Sequence, residues 1–213
     1  MFSILTDALP EFISVGDVVF GVNTDFRVWL RVGQMLSEAG TEIEPEAMNR
    51  LLQELFDLIV PADGKPNGYI LGSDFITAVT KFYAGPVRED EPDPDEAEKP
   101  EPSKPKAARS FDFVYDAEYI YQSFASFYHV RLCEARMHWW EFLALFNGLM
   151  LSEGNSINFV VGVRKRKISD VPKEQRAAYG KMKKALALPK SAKVSEAEAA
   201  AYARLEALWE TRE

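Results

Sequence analysis

"MHWWEFLALFNGL" runs from Met137 to Leu149 and sets two tryptophans behind a histidine, ahead of a nearly unbroken apolar run. At helical spacing Met137, Trp140, Phe142, Leu143, Leu145, Phe146, Leu149 and Met150 cover most of the circumference. Only Glu141, Ala144, Asn147 and Gly148 form a narrow polar or small stripe. A helix that is apolar nearly all round is either buried centrally or shared with a partner. Tryptophan suits both, since it is enriched at interface hot spots and equally at home in cores. The spacing favours a core helix, with His138 at its start. Trp139 projects away from the bulk of the stripe and is the expected partner contact, with Trp140 beside it.

The flanking chain also reads as helical. Asp116 is placed to cap "YDAEYIYQSFASFY", where Tyr119, Ile120, Phe124, Phe127 and Tyr128 make a broad aromatic stripe. Ser169 or Asp170 with Pro172 opens a helix that runs to about Leu186, ahead of Pro189. Ser195 and Glu198 make a capping-box pattern before a last helix, "AAAYARLEALWE". Upstream, Ser73 caps an element with Phe75, Ile76, Val79 and Tyr83 inward. Glu46 to Val60 repeats apolar residues at i, i+3, i+4 and i+7 until Pro61 ends it. Thr24 caps a helix with Phe26, Trp29, Leu30 and Gly33 on one face. Phe12 to Val22 alternates around Val15-Gly16-Asp17 as a short hairpin.

Between these parts lies "GPVREDEPDPDEAEKPEPSKPKAARS", rich in proline and acid and almost without apolar side chains. Such a stretch cannot bury enough surface to offset its ordering entropy, so it reads as a disordered linker. The expected fold is mainly α: an N-terminal hairpin plus helices over 1–85, a linker over 86–110, and a helical part over 111–213. Whether the two parts pack together is left open by the sequence.

The totals exclude several classes. A net charge of −8 argues against non-specific nucleic-acid binding. A single cysteine, Cys133, rules out an internal disulfide and fits a reducing compartment. The opening residues lack the basic and apolar regions of a secretory signal, and no apolar run is long enough to span a bilayer. The expected setting is cytoplasmic.

Chemistry-bearing motifs are scarce. There is no phosphate-cradling glycine loop followed by lysine, no nucleophile elbow and no paired zinc spacing. His129 and Cys133 are i, i+4 and could share a helix face as half a zinc site, but nothing completes four ligands. A Cys133 nucleophile with His129 or His138 as base lacks a third group to orient the base. The loop Asp63 to Asp74 partly matches a calcium-binding loop, with Asp63, Asn67, Gly68 and Ile70 at its first, fifth, sixth and eighth positions. Lys65 stands where an oxygen ligand belongs, Pro66 stiffens the turn, and Asp74 is short for the bidentate role. No enzyme, metal or cofactor is expected.

Charge is unevenly spread. From Arg164 to Lys184 nine basic and two acidic residues give +7, so the remainder carries −15 of the −8 total. The run Arg164, Lys165, Arg166 and Lys167 is the second expected partner contact, suited to an acidic partner or to the chain's own linker; a solvated basic face is the bland alternative.

Taken together, "NTDFRVWL", "FDFVYDAEYIYQSFASFY", "MHWWEFLALFNGL" and "YGKMKKALALP" resemble the "gene product fifteen" family of temperate, long-tailed bacteriophages of Gram-positive hosts. The resemblance covers roughly Ile4 to Pro189 and leaves the acidic linker individual. In such phages the gene typically lies between the major tail protein and tape-measure genes. The resemblance therefore implies a non-enzymatic tail-assembly chaperone in the host cytoplasm. Its partners would be the tape-measure protein and the major tail tube protein, with self-association possible. A structural component retained in the virion is the alternative, and a nucleic-acid-binding regulator is a further one.

Overall fold

The computed structural model describes residues 3–15, 18–39, 73–86 and 110–189. The helix expected over Glu46 to Val60, the calcium-like loop, nearly all of the acidic linker and the last helix lie outside the described residues. Among the described residues the fold is mainly helical, with six α-helices and one two-stranded hairpin.

Strand β1 (Phe12–Val15) pairs antiparallel with β2 (Val18–Gly21), with Ile13 opposite Phe20 and Ser14 opposite Val19. Strand alternation sends Ile13, Val15 and Phe20 inward and leaves Phe12 and Val19 outside. Helix α1 (Phe26–Ala39) starts one residue later than a Thr24 cap would place it. Asp25 takes that role, its Oδ1 accepting the Arg27 N–H at 2.9 Å, while the Thr24 carbonyl is used elsewhere. Helix α2 (Ser73–Ala84) buries Phe75, Val79, Phe82 and Tyr83 and stops at Gly85, whose φ of 84° favours glycine.

Beyond the linker, α3 (Ala117–Ser123) runs into a wider π turn over Phe124–Tyr128, closed by the His129 N–H on the Phe124 carbonyl. The long apolar helix is α4 (Trp139–Leu151). The sequence reading passes over α5 (Ser156–Lys165), whose β-branched Ile157, Val160, Val161 and Val163 are poor helix formers. It forms because Asn155 accepts the Asn158 N–H at 2.9 Å, and because Ser123 of α3 accepts the Ile157 N–H at 3.0 Å. The helix expected from Ser169 to Leu186 begins as two 3₁₀ turns and becomes α6 only over Arg176–Ala185.

Residues from both sides of the linker build one core. Phe142 of α4 stacks on Phe26 of α1 at 4.9 Å and on Phe124 at 5.2 Å. Trp29 of α1 stacks on Phe82 of α2 at 4.4 Å, and Trp139 of α4 on Tyr83 at 5.2 Å. The two parts, whose packing the sequence leaves open, therefore share a continuous aromatic interior among the described residues. Among the described residues, no helix is long and apolar enough to cross a membrane.

Candidate functional site

The histidine and the two tryptophans of α4 have separate structural tasks. His138 occupies the N-cap position of α4: its Nδ1 accepts the Trp140 N–H at 3.0 Å, and its Nε2 lies 2.9 Å from the Pro10 carbonyl. A backbone N–H can only donate and a carbonyl only accept, so the neutral tautomer with its proton on Nε2 satisfies both contacts. The tryptophans terminate another helix. Trp139 Nε1 donates to the Tyr83 carbonyl at 2.8 Å and Trp140 Nε1 to the Phe82 carbonyl at 2.9 Å. These carbonyls belong to the last turn of α2, where a helix has no intrahelical donors left to offer. The pair thus clamps the C-terminus of α2 to the N-terminus of α4.

This corrects the expectation for Trp139. It projects off the main apolar stripe, yet it is 0% exposed, because Tyr83 and Phe113 cover that side. It presents no surface to a partner in this conformation. Trp140 is half-buried against Phe82, at 5.4 Å between rings.

The second signature stretch meets the first. The Trp139 N–H donates to the Thr24 carbonyl at 2.8 Å and the Phe26 N–H to the Met137 carbonyl at 3.1 Å, forming an antiparallel bridge between Asp25 and His138. Arg27 pairs with Asp25 at 3.0 Å and donates to the carbonyls of Leu132 and Ala135, which fixes the loop leading into α4. Trp29 Nε1 donates to the Asn23 carbonyl at 2.7 Å. "NTDFRVWL" and "MHWWEF" are two sides of one seam.

The basic run divides. Arg164 is an interior residue: it forms a two-pronged pair with Asp116, at 2.6 and 2.7 Å, and donates to the carbonyls of Ser110 and Leu186. The Asp116 side chain is 1% exposed and that of Arg164 11%. Asp116 stands at the N-cap position of α3 as expected, but its carboxylate serves Arg164 and the Asp112 N–H instead of a cap bond. Arg164 is therefore removed from the candidate surface. Lys165 is half-buried, and Arg166 and Lys167 are exposed. Sequence reasoning missed this hub because an arginine in a run of four cations carries no mark of burial.

Among the described residues, the basic helix α6 buries no residue and makes polar contacts to α5. The Tyr179 hydroxyl donates to the Val163 carbonyl at 3.3 Å, Lys183 Nζ donates to the Arg166 carbonyl at 2.6 Å, and the Arg166 guanidinium lies 5.9 Å over the Tyr179 ring. His129 and Cys133 do not share a helix face: His129 ends the π turn with φ of 57°, and the chain from there to Ala135 is a loop. Among the described residues, no three His, Cys, Asp or Glu side chains are grouped to hold a metal ion.

Apolar side chains also reach the surface, among them Val114, Tyr115, Phe127, Leu151 and Phe159. Over residues 5–188 the chain matches the family model described as Bacteriophage Gp15 protein. No curated protein and no solved structure matches it.

Proposed function

The chain belongs to the bacteriophage Gp15 family, and from that membership we propose that it is a non-enzymatic assembly factor for the phage tail. In this reading it works in the host cytoplasm, where it binds the tape-measure protein and keeps it soluble until tube subunits polymerise around it. The family match over residues 5–188 is the observation that carries the reading. The architecture is compatible with it: an interlocked aromatic core supports a peripheral helix with no buried residue. Of the residues first expected to touch a partner, Trp140, Arg166 and Lys167 remain candidates, with Lys165 partly covered.

Co-expression with the tape-measure protein of the same phage tests the proposal. Soluble tape measure that co-elutes with this chain is the expected result. Insoluble tape measure, together with this chain found in purified virions by mass spectrometry, would replace the chaperone with a structural tail component.

A further inference from the structure

The stretch from Arg166 to Ala185 folds back on the end of α5 and is fastened by its own cations. Arg176 donates to the carbonyls of Val171 at 2.9 Å and Ser169 at 2.8 Å, Arg166 to that of Asp170 at 3.0 Å, and Lys183 to that of Arg166 at 2.6 Å. A carbonyl accepts the hydrogen bond without cancelling the charge of the donor. Arg166, Lys167, Lys173, Arg176, Lys181 and Lys184 are exposed, and among the described residues none of them is ion-paired, in contrast to Arg164 with Asp116. Asp170 and Glu174 are the two acids in the stretch, so the charge of this surface is strongly positive. Tyr179 and Lys183 turn toward α5, through its Val163 carbonyl and that of Arg166. Helical spacing then puts Lys181 and Lys184 on the other side of α6 with Ala177, bordered by Ala178 and Ala185, all exposed.

We propose that this outward side of α6 is a docking surface for an acidic helical segment of a protein partner, with carboxylates three or four residues apart. The proposal rests on the binding function above and deepens it by naming the chemistry of the partner segment. Carboxylates at that spacing meet Lys181 and Lys184 together, and the charge of Arg166 and Lys167 at the end of α5 adds to the attraction. The alanines leave room for a second helix, since the distance between packed helices is set by the side chains at the contact. Helix α6 stays docked throughout, because the groups that fasten it are on its other side. A nucleic acid fits less well. The outward side offers lysines among alanines and no hydroxyl or amide side chain, and Asp170 and Glu174 add repulsion to a phosphate backbone.

The test uses a fluorescein-labelled helical peptide of alanine and glutamate, its glutamates three and four residues apart, titrated with the full chain and read by anisotropy. Wild type is expected to bind it saturably, and more weakly as salt is raised. The same peptide with glutamine for glutamate is expected not to bind, a comparison that needs no variant. Lys181→Gln with Lys184→Gln removes two exposed charges from α6 and is expected to weaken binding about threefold to tenfold. Arg131→Gln with Arg136→Gln removes two exposed charges from the loop before α4 and is expected to bind as wild type does, which separates docking from net charge. Far-UV circular dichroism checks that both double variants keep the helix content of wild type. Absence of saturable binding, equal binding of the glutamine peptide, or an equal loss in both double variants overturns the proposal. So does tighter binding of a DNA duplex than of the peptide, because the surface would then belong to a nucleic acid. No tape-measure protein enters the titration, so its failure leaves the chaperone reading standing, and a failed co-expression leaves this surface standing.

Discussion

Replacing Trp139 by alanine separates a core residue from a contact residue, and the structure sets the size of the effect. The side chain is 0% exposed, stacked on Tyr83 at 5.2 Å and on Phe142 at 5.6 Å, with Phe113 edge-on at 6.2 Å. Truncating a buried tryptophan to alanine costs about 3–5 kcal/mol through lost transfer energy and the cavity left behind. Losing the indole N–H also strands the Tyr83 carbonyl in the interior, for about 1–3 kcal/mol more. A loss of about 4–8 kcal/mol removes most or all of the stability of a domain at the low end of the usual ~5–15 kcal/mol. Trp140→Ala also loses an indole bond, to the Phe82 carbonyl, but from a half-buried ring; its cost should be about 2–3 kcal/mol. Urea unfolding followed by far-UV circular dichroism compares the two. With a slope of about 1–3 kcal/mol per M, the Trp139 midpoint should lie roughly 1 M below that of Trp140→Ala. A Trp139→Ala protein within about 1 kcal/mol of wild type, or more stable than Trp140→Ala, would refute the core assignment.

Three further outcomes follow from named contacts. Arg164→Ala leaves the Asp116 carboxylate buried without its counter-charge and should cost about 3–5 kcal/mol, whereas Arg164→Met with Asp116→Leu should recover much of that; the urea midpoints decide, and a double variant as damaged as the single would argue against the pair as the cause. Gly33→Ala ordinarily gains about 1 kcal/mol in a helix. Here the new Cβ would meet the Tyr83 ring, with Cζ at 2.8 Å, and Tyr83 is pinned by Trp139; overpacking of about 1–3 kcal/mol should turn the gain into a loss, and a raised melting temperature would contradict that packing. Burial pushes the Tyr128 hydroxyl above its ordinary 10.0, so the fold favours the neutral phenol. Its contribution is therefore complete below the ordinary value and is lost as pH rises through the raised one. Wild type should lose stability more steeply than Tyr128→Phe above about pH 10, and parallel curves would remove Tyr128 as the source.

The parts of the fold legible in the sequence were those where periodicity and burial coincide. Phe142, Phe146 and Leu149 of α4, Ile13 and Val15 of β1, and Phe75 and Val79 of α2 all lie inside as their spacing requires. The misreadings came where a side chain answers to a distant backbone group. Trp139 faces off its own helix stripe, but the orphan carbonyl that draws it inward belongs to Tyr83, 56 positions away. Arg164 looks solvated beside three other cations until α3 brings Asp116 to it from 48 positions away. Helix α5 escaped notice because its residues are better strand formers; Asn155 is a local N-cap, but the second acceptor at its start, Ser123, comes from α3. The basic segment was legible as charge, but its division into an interior hub and an exposed helix was not.

This division bears on where a partner binds. The two stretches that form the seam, "NTDFRVWL" and "MHWWEF", are consumed by the fold: they cap α1 and α4, end α2, and hold the loop before α4 through Arg27. Their hydrogen-bonding groups already have partners inside the chain, and Trp29 and Trp139 have no exposed area left to offer. A residue fully committed to the interior can contribute to binding only by unfolding what it supports, at a cost near the whole stability of the domain. Helix α6 is attached differently: it buries no residue, yet Arg176 donates to the carbonyls of Val171 and Ser169, Lys183 to that of Arg166, and the Arg164 hub to that of Leu186 at its C-cap. Trp139 is therefore scaffold, and a partner would have to meet side chains that the interior has not consumed, Arg166 and Lys167 among them.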